Sequence, residues 1–318
     1  METLSIKNLE MGFNTKKGFR QALFDISLSL KYGEMHALVG ESGCGKSMTA
    51  LSILKLLPKN AIITNGEINY RKKNLINLSN KEINNIRGSE IALIPQDPMT
   101  SLNPLYTIGN QLLEVIKLHQ NLKGKEAYKK AVEALETVQI PDAKERFNQY
   151  PHEFSGGMKQ RTIIAMALAC NAKIIIADEP TTALDVTIQE QIMNLLSDIK
   201  KEHGTSILLI THDLALVSQY ADEVSVMYSG KIIENAPVKE FFNYTNHPYS
   251  IGLLKSLPRN NKKIIPTIEG QPPSIMDEIT GCRFNPRCKF SIPQFCNRRN
   301  PEFKEIRKNH HSACFLNN

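Results

Sequence analysis

No stretch of this 318-residue chain approaches the ~18 consecutive apolar residues of a membrane span. The longest apolar runs, Ile174 to Ala177 and Ile207 to Ile210, are strand-sized. The opening Met1 to Lys7 lacks the apolar core of a signal peptide, so the expectation is a cytoplasmic protein unless a partner holds it at a membrane. No internal repeat is apparent. No RNP, zinc-finger or helix-turn-helix signature accompanies the net charge of +7 and the pI near 9.0, which speaks against a nucleic-acid partner. The densest basic pairs, Lys16-Lys17, Lys72-Lys73, Lys129-Lys130 and Lys262-Lys263, are scattered. They read as solvated surface, with attraction to anionic lipid headgroups second.

A chain of this length accommodates one large α/β domain and a smaller appendage. Its composition, 41% hydrophobic and 22% charged, is that of a globular protein. Residues 40–47, Gly-Glu-Ser-Gly-Cys-Gly-Lys-Ser, satisfy G-x-x-x-x-G-K-[ST]. The apolar segment Met35 to Val39 runs into the motif as a buried strand, and an apolar-periodic helix from Ser47 to Leu57, stopped by Pro58, leaves it. Glycines let backbone N–H groups close around phosphate oxygens, and the helix points its positive end at them. Lys46 would reach the β/γ-phosphates and the Ser47 hydroxyl would ligate Mg²⁺. This predicts a nucleoside triphosphate site.

The first 35 residues alternate apolar and polar (Leu4, Ile6, Leu9; Leu23, Ile26, Leu28, Leu30), predicting an antiparallel strand layer. Further strands are expected at Gly66 to Tyr70 and Ile91 to Pro95. Residues 107–169 predict a helical insertion, with amphipathic patterns over Ile108 to His119 and Glu126 to Val138. A strand (Lys173 to Ala177), a helix (Val186 to Glu202), a strand (Ser206 to Ile210) and a short helix near Leu214 then alternate. That succession predicts an α/β fold with a mostly parallel sheet covered by helices. Beyond about Pro237 the regularity weakens, and a separate, irregular, cysteine-rich unit is expected over 237–318.

Asp178-Glu179 closes the isoleucine-rich strand. Asp178 would hold Mg²⁺, and Glu179 would orient and deprotonate an attacking water. Ser155-Gly156-Gly157 opens an apolar helix with Ser155 at the N-cap, giving a second anion-binding helix start.

The phosphate loop, Gln96, the Ser-Gly-Gly helix, Asp178-Glu179, Ala183-Leu184-Asp185 and His212 occur in the order of the ATP-binding cassette family, which residues 1–235 resemble. The resemblance implies a P-loop cassette over 1–236, with a RecA-like core, an antiparallel β subdomain and a helical subdomain at about 97–170. It implies ATP held by Gly40, Ser42, Gly43, Cys44, Gly45, Lys46, Ser47 and Met48, with Phe13, 27 residues before Gly40, stacked on adenine. Mg²⁺ would lie at Ser47, Gln96 and Asp178. Glu179, His212 and Gln96 would be catalytic, with His212 contacting the γ-phosphate and Gln96 sensing it. Family cassettes act in pairs, so Ser155, Gly156, Gly157 and Asp185 would serve the ATP of a partner subunit. Phe154 and Met158 depart from the usual Leu and Gln of the signature. Cys44 stands where Ser is frequent, and a thiol near a helix start is open to a lowered pKa.

Lys46 and Ser155 are 109 residues apart, far closer than in DNA-repair cassettes, and the single cassette differs from ribosome-acting types. Gln96 to Pro104 and Asp178 to Gln189 resemble the oligopeptide/dipeptide/nickel importers, as do Thr181-Thr182, His247-Pro248-Tyr249 and Glu269 to Pro273. This implies an ATPase for peptide uptake, with nickel or a metal chelate as the alternative cargo and a cytosolic non-transport ATPase as the rival class. It also implies a homologous second cassette, two integral permeases, an extracytoplasmic binding protein, and a peripheral place on the cytoplasmic face of the inner membrane. Cys282, Cys288, Cys296 and Cys314 are spaced C-x₅-C-x₇-C-x₁₇-C, unlike paired C-x₂-C zinc knuckles. Four thiolates can hold a [4Fe–4S] cluster, which members of this subfamily carry. Zinc helped by His310 or His311, and four free thiols, are the alternatives.

Overall fold

The computed structural model describes residues 2–182, 184–257 and 267–317. Ala183 and the Lys262-Lys263 pair thus lie outside the described residues. Two compact units are formed, one by Met1–Asn77 with Ile210–Asn318, the other by Leu78–Leu209. Among the described residues the strands are, in chain order, β1 (Glu2–Thr15), β2 (Gly18–Lys31), β3 (Met35–Val39), β4 (Ala61–Tyr70), β5 (Lys73–Asn74), β6 (Ile91–Ile94), β7 (Ile174–Asp178), β8 (Ser206–Thr211), β9 (Glu223–Tyr228), β10 (Lys231–Pro237), β11 (Lys304–Arg307) and β12 (His310–Ser312).

In the first unit β2-β1-β4-β5 form an antiparallel sheet, as the alternation predicts. Leu4, Ile6 and Leu9 lie opposite Leu30, Leu28 and Ile26, and all six are buried. Such cross-strand apolar pairs fix the register. Strand β4 begins at Ala61, five residues before its expected start. The extra residues pair with β1 (Phe13 opposite Ala61, Met11 opposite Ile63) but leave their side chains mostly outside the core, so no burial pattern betrays them.

The second sheet region of this unit has the order β11-β12-β10-β9-β3. All five residues of β3 are buried, and β3 runs parallel to β9. The helix after it, Lys46–Ile53, ends four residues before the expected Leu57. Pro58 is not its stop. Lys55 adopts the left-handed region (φ 52°), and the Leu56 N–H donates to the Leu51 carbonyl at 2.9 Å, a left-handed helix terminus.

The expected separate unit over 237–318 packs instead into this same first unit. Helices Val238–Tyr244 and Pro248–Lys255 follow β10, and β12 pairs with it, Glu234 opposite Ser312. Phe241, Tyr249 and Phe284 share one buried cluster with Val39, Val224 and Val226. Three aromatics of roughly 150–250 Å² each give this stretch a substantial apolar core.

The second unit carries β8-β7-β6, with β6 and β7 parallel (Ile91 opposite Ile174). Its helices Ile108–Gln120, Gly124–Thr137, Gly156–Ala169 and Val186–His203 match the predicted insertion and the helix after it within two residues wherever a boundary was drawn. Thr107 caps the first by accepting the Asn110 N–H at 3.2 Å. No helix among the described residues is long and apolar enough to cross a membrane.

Candidate nucleotide site and cysteine pocket

Strand β3 delivers the chain into the phosphate loop, and the loop has no room for side chains at Gly40 and Gly45. A Cβ on Gly40 would meet the Met227 carbonyl at 2.2 Å. Gly45 (φ 112°) is in a conformation L side chains rarely adopt, and its Cβ would press Leu23 and Met227 at 2.8 Å. The buried Lys46 ammonium donates to the carbonyls of Gly40 (2.7 Å) and Glu41 (3.0 Å), which draws it into the loop. Ser47 opens the helix, Ser42 and Gly43 are exposed, and Met48 is half-buried. Phe13, half-buried on β1, belongs to the same unit, as does exposed His212 just beyond β8. Cys44 is buried, and burial pushes its thiol up, with Lys46 acting the other way. That direction favours an inert loop residue over a thiol of lowered pKa.

In the second unit Asp178 ends β7 and is buried. Glu179 follows in the left-handed region (φ 48°), a strained conformation of the kind functional sites retain. Its Oε2 accepts from Gln96 Nε2 at 3.1 Å and from Thr182 Oγ1 at 2.9 Å. Gln96 and Glu179, 83 residues apart in sequence, are thereby brought together. The role of Thr182 was missed, although a hydroxyl three residues after an acidic strand end is a local signal.

Ser155 is the N-cap of Gly156–Ala169, its Oγ accepting the Met158 N–H at 3.3 Å. Met158 therefore contributes its backbone there, and Phe154 is buried. A Cβ on Gly157 would meet Ile188 Cγ2 at 2.9 Å, while Gly156 faces Leu184. Asp185 caps Val186–His203, accepting the Ile188 N–H at 3.0 Å. The glycine-rich helix start and the Asp185 loop thus pack together.

Cys282, Cys288, Cys296 and Cys314 are all free and line one pocket with His247, Phe284, Phe290 and Phe315. Burial pushes the Cys282 thiol up to about 11 and raises Cys288 and Cys314 as well. Backbone N–H groups of Phe284, Phe290 and Leu316 favour the thiolates of Cys282, Cys288 and Cys314. The Ile292 N–H reaches Cys296 Sγ at 3.3 Å. Neither His310 nor His311 lines this pocket, against the zinc alternative drawn from them. His310 is engaged by Glu234 at 2.8 Å. The pocket's own histidine, His247, is held down to about 4 by burial, with Glu234 pulling the other way, and its Nδ1 accepts the Tyr249 N–H.

A phosphate loop, an acidic strand end coupled to Gln96, and a second capped glycine helix start define a nucleotide-hydrolysing cassette. The chain belongs to the ABC transporter family, whose model matches residues 23–182. The model for the C-terminal region of oligopeptide/dipeptide transporters matches residues 233–296. The chain is 48% identical to the dipeptide transport ATP-binding protein DppD of Bacillus subtilis, over 99% of this chain and 95% of that protein. It is 46% identical to the probable peptide ABC transporter ATP-binding protein y4tR of Sinorhizobium fredii (99% and 95%) and 45% identical to the oligopeptide transport ATP-binding protein OppD of Escherichia coli (98% and 92%). Among solved structures it is similar to the dimeric ATP-binding cassette MJ0796 bound to ADP and Pi. That match has a TM-score of 0.67 and 29% identity, covering 74% of this chain and 99% of the other. The chain is an ATPase of this family.

Proposed function

We propose that the chain energises uptake of dipeptides or oligopeptides, working from the cytoplasmic face of the inner membrane through two integral permeases supplied by an extracytoplasmic binding protein. A homologous second cassette completes the ATPase. The observation that carries this reading is the presence in one chain of a cassette and of the oligopeptide/dipeptide transporter C-terminal region. The names of the similar proteins favour peptide cargo over nickel or a metal chelate.

ATP is bound by Gly40, Ser42, Gly43, Cys44, Gly45, Lys46, Ser47 and Met48, with Phe13 on adenine, and Ser47, Gln96 and Asp178 would hold Mg²⁺. Glu179 takes the proton of the attacking water, and His212 contacts the γ-phosphate. Lys46, Mg²⁺ and two helix N-termini offset the charge that develops on the phosphoryl group. Ser155, Gly156, Gly157 and Asp185 serve the partner's nucleotide, which accounts for a second anion-binding helix start that its own chain does not use.

The four cysteines suit a [4Fe–4S] cluster. Each sulfur has a backbone N–H beside it, and hydrogen bonds to sulfur are a feature of such ligation. Among the described residues, no three of the sulfurs lie within 4.8 Å of one another. Around a tetrahedral zinc they would sit about 3.8 Å apart, given Zn–S of about 2.3 Å. When bound, the cluster would supply a covalent cross-link closing the loops between Cys282 and Cys314. The function is tested by reconstituting the chain with its permeases and second cassette in proteoliposomes. Peptide-loaded binding protein raises ATP hydrolysis and drives peptide inward, and a response to nickel alone would reassign the cargo.

A further inference from the structure

Arg287 stands next to Cys288, yet its guanidinium is given over to the phosphate loop. Its side chain is 5% exposed. Nη1 donates to Glu41 Oε2 at 2.6 Å and Nη2 to Oε1 at 3.1 Å, a bidentate pair. Nε donates to the Glu269 carbonyl and Nη2 to the Gly270 carbonyl of its own segment, both at 3.0 Å, and Nη1 reaches the Tyr228 hydroxyl on β9 at 3.5 Å. Glu41 is the second residue of the phosphate loop. Its N–H donates to the Tyr249 hydroxyl at 2.9 Å, and its carbonyl accepts from Lys46 at 3.0 Å and from the Cys44 N–H at 3.3 Å.

We propose that Arg287 is a positioning residue of the nucleotide site, clamping the Glu41 carboxylate so that the phosphate loop keeps its anion-binding shape. The proposal rests on the reading that Gly40 to Ser47 hold ATP. When Lys46 leaves the Gly40 and Glu41 carbonyls for phosphate oxygens, the loop loses two internal tethers, and Arg287, Tyr249 and the Cys44 N–H remain to hold Glu41. A second strut meets the loop at Cys44. Arg283 Nε donates to the Ser229 carbonyl at 2.6 Å and Nη2 to its hydroxyl at 3.0 Å, with the guanidinium 3.9 Å from the Phe24 ring centroid. The next residue, Gly230, donates its N–H to the Cys44 carbonyl at 2.8 Å. The segment that carries Cys282 and Cys288 therefore touches the phosphate loop directly at Glu41 and through one intermediary at Cys44. Holding that segment is part of building the ATP site.

The test is titration of the full chain with a fluorescent ATP analogue and Mg²⁺. Arg287→Ala and Glu41→Ala are each expected to weaken binding about ten-fold, equivalent to ~1.4 kcal/mol. The double variant should be no weaker than the worse single one, because both remove the same contact. Arg287→Lys, which keeps the charge but not the fork, should recover part of the loss. Lys289→Ala, in the same segment, breaks only an exposed pair with Glu269 and should bind like the parent. Should Arg287→Ala loosen the extension as a whole, Glu41→Ala decides, since it leaves Arg287 bonded to the Glu269 and Gly270 carbonyls. Parent-like binding by Glu41→Ala, or losses that add in the double variant, overturn the proposal. Lys46→Ala serves as the control: unchanged binding there overturns the phosphate-loop reading itself and the proposal with it.

Discussion

Replacing Glu179 with Gln separates the chemistry of the water from the binding of the nucleotide. The carboxylate oxygen Oε2 accepts two hydrogen bonds, from Gln96 at 3.1 Å and Thr182 at 2.9 Å. The amide oxygen of Gln can accept both, so the local structure and the nucleotide contacts should survive, with a stability change of at most about 1 kcal/mol, the worth of one neutral hydrogen bond. What Gln cannot do is take a proton. General-base catalysis contributes roughly 10²–10⁴-fold, so kcat should fall by that factor, equivalent to about 3–5 kcal/mol of barrier. The assay is steady-state phosphate release by the reconstituted transporter, run beside nucleotide retention on the same protein. Expected are an unchanged ATP affinity and a closed, ATP-loaded pair of cassettes that does not turn over. Multiple turnover within ten-fold of the parent would refute the role of Glu179, and a matching loss of ATP affinity would move it from the water to the nucleotide.

Ser155→Arg should leave ATP binding by the isolated chain unchanged while blocking hydrolysis by the assembled transporter; a loss of affinity as large as that of Lys46→Ala would place the signature in the wrong site. Anaerobically purified protein should be brown with about four irons per chain, and replacing any one of the four cysteines should bleach it, open residues beyond about 280 to proteolysis, and weaken ATP binding no further than Arg287→Ala does, because the same segment carries that clamp. Stoichiometric zinc without iron would transfer the pocket to zinc. Gly157→Val should cost about 1–3 kcal/mol in denaturant unfolding by overpacking against Ile188, and Ile188→Ala should restore part of it. His36, fully buried, is held down to about 4 by burial while Glu223 pulls it the other way. The unfolded chain takes up that proton below the ordinary 6.5 and the folded chain resists it, so this contribution to stability is complete above 6.5 and fades as the pH falls toward 4. His36→Gln should flatten that part of the unfolding profile, and an unchanged slope would show that His36 does not set it.

What was legible in the sequence is what is contiguous. The phosphate loop, its entering strand and its lysine occupy a dozen residues, and their chemistry is dictated by local backbone geometry. The Ser155 cap and the Ile108–Gln120 helix were readable for the same reason. The end of Lys46–Ile53 was misplaced because Lys55, a residue with no preference for left-handed backbone, makes the turn ahead of the proline. The stretch from 237 onward reads as irregular because its order comes from distant pairings: β12 with β10, and Phe284 with Val39 and Tyr228. Glu41 and Arg287 are 246 residues apart, and no periodicity or spacing could join them. The gathering of the four cysteines into one pocket was signalled only by their crowding near the end of the chain.

The hairpin β11–β12 also decides how the sheet region of the first unit ends. Strand β10 carries buried Ile232 and Ile233, and its open side would present unpaired amide groups to any other chain. β12 occupies that side, and the outermost strand becomes β11, four residues reading Lys-Glu-Ile-Arg with both end residues basic. A short, charged margin is a poor template for a further strand. Cutting the chain before residue 304 would therefore do more than remove a tail: it would uncover a longer, more apolar edge, and the truncated protein should self-associate at concentrations where the whole chain stays dispersed.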